Sequence, residues 1–384
     1  MELGIPLETS DGKLIERRVG LTPGGVKALT SKGAIIYVES QAGLNAGFSD
    51  EEYISAGAKI VYSKEDVYQR SELIIKVSRP TLDEMKYFRD EQTILCFFHA
   101  AIAPSELRKT IREKKITVVG YEIIEEPENV RPILRPMSEI AGKLSVQIAG
   151  RLLEGTESGR KGVLLGGIYG IPPAEVVIIG VGTLGYWCAR SFSSIGASVY
   201  VLDENIQRLE RIEREIPGKV VTMLSNPLNI EKTVRFADVL IGAVLQPGKK
   251  APLIITKKMV SSMRKGSVIM DFTIDHGGCV ETIRPTPDES FAYYVDGVLH
   301  FGMPNVPSKV PRTSSYALTN SLLKYLLLIN EQKVYHAISA SPGLKRGVYY
   351  YRGELTYPGI EMEHETARNI DDIYKDELVS GLKL

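Results

Sequence analysis

Residues 174–203, AEVVIIGVGTLGYWCARSFSSIGASVYVLD, constrain the fold more than any other stretch of this chain. The apolar, β-branched run Glu175–Ile179 reads as a buried parallel strand. Gly180-Val-Gly182-Thr-Leu-Gly185 follows at once, then a helix-compatible segment, then a second strand over Ser198–Leu202 that ends at Asp203. Each glycine has its own physical reason. Gly180 allows a tight turn, Gly182 lets backbone approach a pyrophosphate, and Gly185 lets the helix pack close to the strand. The helix N-terminus faces the phosphate charge, and Asp203 accepts hydrogen bonds from ribose hydroxyls. A carboxylate there repels a 2′-phosphate, so the expected cofactor is NAD rather than NADP, with Arg208 the nearby opposing charge.

At 384 residues the chain exceeds one ordinary core, and two domains are expected. Its 47 basic and 47 acidic residues cancel, which argues against nucleic acid or an anionic membrane as partner and for a small-molecule substrate. No charged-then-apolar leader is evident, and Leu322–Ile329, interrupted by Lys324, is too short to span a bilayer. Cys96, Cys188 and Cys279 are widely spaced, so neither a disulfide framework nor a metal site is expected, and a cytoplasmic setting is. Cys96 and Cys188 read as small buried hydrophobes.

Before the fingerprint, strands are expected over Glu2–Leu7, Ala34–Glu39, Leu73–Val77, Thr93–Phe98 and Ile116–Ile124, with helices over Pro23–Lys32 and Pro104–Lys115. The alternation implies a mostly parallel sheet. A proline-rich crossing, Pro127–Pro136, leads to a long helix over Met137–Leu153 with Ser138 as its N-cap. After the fingerprint, strands are expected over Val220–Leu224, Val239–Leu245 and Ser267–Phe272, then a long helix over Thr313–Ile329. Residues 330–384 are polar and tyrosine-rich and show no usable periodicity. The expected architecture is α/β, with two Rossmann-like doubly wound domains flanking a cleft and joined by long helices.

Several polar residues fall where such folds assemble sites. Arg18, before a helix start, suits bidentate binding of a carboxylate. His99 follows an apolar strand, and histidine is the side chain whose unperturbed pKa suits proton exchange near neutrality. Asp275 lies in a glycine-flanked loop after another strand, at the nicotinamide end of the cofactor fold. Lys76 and Ser78, two apart on one strand, are expected on the same face. His300, His336 and His364 lack partners at ligand spacing and read as structural.

Taken together, RVGLTP, RPMSEIAGKLSVQ, the glycine fingerprint, GAVLQPGKKAP, GSVIMDFTIDHGG and VPRTSSYALTN resemble the alanine dehydrogenase family, which includes the soluble NAD-binding subunit of proton-pumping transhydrogenase. The resemblance runs from the N-terminus to about Arg346. It implies a discontinuous substrate domain, residues 1–133 plus 310–384, with an NAD-binding domain, residues 134–309, inserted. It also implies NAD-dependent oxidative deamination of a small L-amino acid, alanine first, by a homo-oligomer, commonly a hexamer. Carried over by motif, His99 and Asp275 are the catalytic pair, and Arg18 holds the substrate carboxylate. Ser138, Gly180, Gly182, Gly185, Asp203, Arg208, Ser225, Val244, Leu245 and Asn305 line the cofactor.

One position departs from the family. Its dehydrogenases read Lys-Val-Lys-Glu-Pro where this chain reads Lys76-Val-Ser78-Arg79-Pro80, so the second, substrate-contacting lysine is Ser78. Losing one of two cations weakens a carboxylate site unless another replaces it. Lys76 reaching across, Arg79 turning in, or a different amino or imino acid as substrate each answers that loss. The transhydrogenase branch also lacks this lysine, but it typically lacks counterparts of His99 and Asp275.

Overall fold

The computed structural model describes the whole chain except residues 10–15, 156–158, 217, 219, 247, 361–364 and 380–384. It divides into two compact units. One comprises Met1–Met137, Pro247–Lys249 and Ser308–Leu384, and the other Ser138–Gln246 and Lys250–Pro307.

In the first unit, six strands alternate with helices: β1 (Glu2–Ile5), β2 (Ile35–Glu39), β3 (Lys59–Val61), β4 (Leu73–Ser78), β5 (Thr93–Phe97) and β6 (Thr117–Gly120). They lie parallel in the order β3-β2-β1-β4-β5-β6. β5 and β6 are buried throughout, as strands covered on both faces must be. Val67, Ile74, Ile94, Cys96, Phe98 and Ile116 belong to the core on this sheet. Local chemistry sets the helix starts. Pro23 occupies the first turn of Pro23–Thr30, and Ser49 with Glu52 forms a capping box on Asp50–Ser55.

The second unit carries β7 (Glu175–Ile179), β8 (Ser198–Asp203), β9 (Val220–Leu224), β10 (Val239–Gly242), β11 (Val268–Asp271), β12 (Tyr293–Val295) and β13 (Val298–Phe301). Their order is β12-β13-β11-β10-β7-β8-β9, with only β12 antiparallel. Both sheets are therefore doubly wound α/β, as expected. The chain's end returns to the first sheet as β14 (Val348–Tyr351), antiparallel to β6, and β15 (Glu354–Leu355).

Some local expectations are corrected. The helix expected from Met137 begins at Leu134, so Ser138 lies inside Leu134–Leu153 and is not its N-cap. Pro136 falls in the first turn, where a missing N–H costs no hydrogen bond, and does not delay the start. The strand expected over Ile116–Ile124 stops at Gly120 and turns into a 3₁₀ segment, Tyr121–Ile123. The second long helix runs from Pro311 to Ala340, with a break at Lys333 (φ 65°). Beyond it, the aperiodic tail holds the β14–β15 hairpin and a helix, Ile370–Val379. Among the described residues no helix is long and apolar enough to cross a membrane, and the three cysteines are buried and unbridged.

Candidate active site

The second sheet reverses its strand order between β7 and β10, and in such sheets ligands bind at the strands' C-terminal ends beside that reversal. Gly180 leaves β7 at φ 93°, and a Cβ there would lie 2.7 Å from the carbonyl oxygen of Ala243, just past β10. A Cβ at Gly185 would lie 1.9 Å from the Gly180 carbonyl oxygen, so no side chain fits. Gly182 differs, because a Cβ there would meet nothing within 4 Å. That open flank directly precedes the helix Thr183–Ser194, whose first N–H groups lack helical acceptors.

The remaining cofactor-side residues can be placed around this loop. Asp203 is buried; its Oδ2 accepts the Val181 N–H (2.7 Å) and its Oδ1 the Asn205 N–H (2.8 Å). Arg208 Nη1 stands 3.5 Å from Oδ2, and the Ser225 N–H donates to the Asp203 carbonyl (2.9 Å). Val244 and Leu245 follow β10, with Val244 3.0 Å from the place of a Gly180 Cβ. Ser138 lies one turn before Gly142, whose Cβ would sit 2.8 Å from the Leu184 carbonyl oxygen. An open glycine flank, a helix N-terminus and a buried acceptor carboxylate fit a dinucleotide's pyrophosphate and ribose.

Asp275 sits in a 3₁₀ turn, Ile274–His276, past β11. Both its oxygens lie 3.2 Å from the N–H of Asn305, a residue in the left-handed region (φ 54°). Asp271, at the end of β11, ties this loop down by accepting N–H bonds from Thr273, Cys279 and Val280. His300 is structural, bonded to Thr282 Oγ1 (2.7 Å) and the Val298 carbonyl (3.0 Å). His364 lies outside the described residues.

The first sheet has its own reversal, between β1 and β4, and the remaining candidates gather at the same ends of its strands. Arg18 is 2% exposed, and Glu16 grips its guanidinium, with Nε to Oε1 at 2.7 Å and Nη2 to Oε2 at 2.6 Å. Nη1 lies 3.5 Å from Met137 Sδ, and the guanidinium stands 5.8 Å over the Phe97 ring. Burial opposes the Glu16 charge, but Arg18 holds the carboxyl below its usual range. Ser78 Oγ donates to the same Glu16 (3.1 Å).

Lys76 does not share that role. A bulge between Ile75 and Ser78 interrupts the alternation that would put residues 76 and 78 on one face. Lys76 is fully buried between Glu8 and Glu84, each 3.0 Å from its Nζ. Glu8 also accepts the Val77 N–H (2.6 Å), which satisfies the bulge. Against the cost of burial, Lys76 and Lys64 help hold the Glu84 carboxyl at about 2. This ammonium is committed to the core, so it does not replace the absent lysine.

His99, just past β5, stacks on Phe97 with centroids 6.1 Å apart and planes 14° apart. Burial, then the Arg79 guanidinium and then that of Arg18, hold its pKa down at about 3, so the imidazole is neutral. The charge of Arg79 thus acts on His99. Glu8, Glu16, Glu84 and Asp271 escaped the sequence reading. Each is an ordinary acid in sequence, and only its partners give it meaning. The spacing Glu16-Arg-Arg18 was the one available signal.

Comparison with known proteins bears on this arrangement. The family model "Alanine dehydrogenase/PNT, N-terminal domain" matches residues 4–141, and the corresponding C-terminal domain model matches residues 145–358. The chain belongs to the alanine dehydrogenase/PNT family. Similar members include the alanine dehydrogenase of Methanococcus maripaludis, 42% identical over 95% of this chain and 97% of that one. That of Staphylococcus haemolyticus is 39% identical over 94% and 95%. A solved structure of an L-alanine dehydrogenase superposes with TM-score 0.85 at 38% identity, covering 98% of this chain and 99% of that one. A transhydrogenase from Sinorhizobium meliloti, at 22% identity, shares the alanine dehydrogenase/PNT fold with TM-score 0.74, over 93% of this chain and 99% of that one.

Proposed function

We propose that this chain catalyses the reversible NAD-linked oxidative deamination of L-alanine to pyruvate and ammonia. The observation that carries the reading is the open glycine loop beside Asp203; within the first unit, burial and the charges of Arg79 and Arg18 keep His99 neutral. The first unit is read as the substrate-binding part and the second as the cofactor-binding part. Gly180, Gly182, Gly185 and the N-terminus of Thr183–Ser194 would receive the pyrophosphate, and Asp203 the ribose. Ser138, Arg208, Ser225, Val244, Leu245 and Asn305 are assigned to the same ligand. When bound, the nicotinamide supplies the hydride acceptor.

The protein's own groups do the rest. Arg18 and Arg79 draw in the substrate carboxylate and orient the α-carbon. An anion between these cations offsets the field that depresses His99, so its pKa rises when substrate binds. The neutral imidazole then takes a proton from the water that adds to the imino acid, and returns one to the departing ammonia. Asp275 is assigned as the second proton carrier. Assembly into a homo-oligomer in the cytoplasm belongs to the same reading, and light scattering in solution measures the assembly.

The test is NADH oxidation with pyruvate and ammonium, repeated with His99→Ala. The parent is expected to turn over, and the variant to lose at least about a hundredfold in kcat. Full activity in the variant would sink the role of His99. A second reading, a different amino acid as substrate, draws on Ser78, whose hydroxyl is turned to Glu16. It predicts that another oxoacid outruns pyruvate in a substrate screen. A nucleotide-binding subunit without chemistry predicts NADH binding but no ammonium-dependent turnover.

A further inference from the structure

We propose that Glu122 is the positioning residue for His99, its buried carboxylate holding the histidine backbone in the conformation that presents the imidazole. The inference rests on the role given to His99 above. His99 adopts φ 49° and ψ 56°, a left-handed conformation that non-glycine residues keep only where surroundings hold it. It lies two residues past the buried strand β5 and caps the start of the 3₁₀ segment Ala100–Ile102, so the chain leaves the strand at the residue that carries the candidate base.

Glu122 supplies what holds it. Its side chain is 1% exposed, and Oε1 accepts the His99 N–H at 2.6 Å while Oε2 accepts the Phe98 N–H at 3.2 Å. Two consecutive amides meeting two oxygens of one carboxylate are charge-assisted bonds, stronger than bonds to a neutral acceptor. Cys96 pairs with Gly120 across β5 and β6, and just past that pair the chain turns into the 3₁₀ segment Tyr121–Ile123, from which the Glu122 side chain reaches the Phe98 and His99 amides. Tyr349, on β14, packs against Gly120, two residues before Glu122: a Cβ on Gly120 would fall 2.4 Å from its ring.

The ring is constrained by the same segment. Phe97, on which His99 stacks, meets Tyr121 edge-on at 5.2 Å. The backbone clamp and the aromatic neighbours thus come from two short stretches, Tyr121–Glu122 on one side and Phe97–His99 on the other. Glutamine is isosteric but offers one oxygen, and its NH₂ would face an N–H donor. That change releases the clamp without altering volume. Glu122 acts through His99.

The experiment compares Glu122→Gln with the parent in steady-state kinetics with pyruvate, ammonium and NADH, alongside NADH binding by fluorescence. A fall in kcat of about 10- to 100-fold, with pyruvate KM and NADH affinity within about threefold, is expected for a misplaced proton carrier. A kcat within about twofold of the parent, or a rise in pyruvate KM and a loss of NADH affinity in step with the fall in kcat, overturns the proposal. Hydrogen exchange of the peptide spanning residues 96–103 reads the clamp without turnover. It should speed at least about tenfold in the variant, and unchanged exchange likewise overturns the proposal. Should Glu122→Gln not fold, Glu122→Asp, which keeps the charge but shortens the reach, is judged by the same criteria. An inactive parent counts against the proposed function, while the exchange measurement still decides the role of Glu122.

Discussion

Glu16 is the residue on which the substrate side turns. Its carboxylate grips two nitrogens of Arg18 and accepts from Ser78, so under the proposed function the arginine meets an internal anion before it meets a substrate. A cation at position 78 would pair with Glu16 and return more of the Arg18 charge to the ligand. Ser78→Lys is therefore expected to lower pyruvate KM by about tenfold while leaving kcat within about threefold, read by initial rates. Arg79 is the other lever, because after burial it depresses His99 more than Arg18 does. The sign is direct: a nearby cation disfavours imidazolium, so removing it raises the pKa from about 3 towards the ordinary 6.5. Arg79→Gln should move the acidic limb of the kcat/KM profile to higher pH and raise pyruvate KM. A limb that stays in place would separate Arg79 from His99.

At the scale of elements, the glycine loop is a junction of strand, turn and helix in which each glycine answers a different neighbour. Gly185 faces backbone, and Gly182 faces open space. The two alanine variants should therefore part company. Gly185→Ala forces the helix off β7, so both thermal stability and NADH affinity should fall, the former by about 1–3 kcal/mol. Gly182→Ala should keep its melting temperature and lose NADH affinity alone, since its methyl enters only the ligand's space. Equal melting losses in both would contradict the open flank. The β4 bulge shows the same economy. Glu8 satisfies the bulge and pairs with Lys76, so one buried acid holds the strand end that carries Ser78 and Arg79.

For the whole molecule, the chain's last described segments decide how the first sheet is finished. β14 covers the β6 edge, and Tyr349 and Tyr350 are fully buried there. Arg108 binds this return to the sheet's helical layer, donating to Tyr350 Oη (2.8 Å) and the Ile360 carbonyl (2.9 Å) and pairing with buried Glu365. Among the described residues, Arg108→Ala leaves that acid with Arg112, 43% exposed, as its one cation. Losing one partner of a buried pair costs about 3–5 kcal/mol, and urea unfolding should show it as a lower midpoint with an unchanged slope. A change within about 0.5 kcal/mol would mean that the return contributes little to stability.

Much of this was legible in residue order alone. The Gly180–Asp203 unit, both doubly wound sheets and the helix after Pro23 follow from local periodicity, turn chemistry and glycine geometry, which act over a few residues. The strand β3, the β14–β15 hairpin and the start of the Leu134 helix did not, because short or covered segments take their state from distant partners. The same division holds at the site. Sequence alone determined which chemical groups the chain carries and near which strand ends: Arg18, Ser78, His99, Asp203 and Asp275. Only the tertiary structure decided which are at liberty to act, burying Lys76 between two acids and setting Glu16 on Arg18 and Arg79 against His99. The physical reason is that charge and hydrogen bonding depend on distance and burial, and neither is encoded by neighbours along the chain.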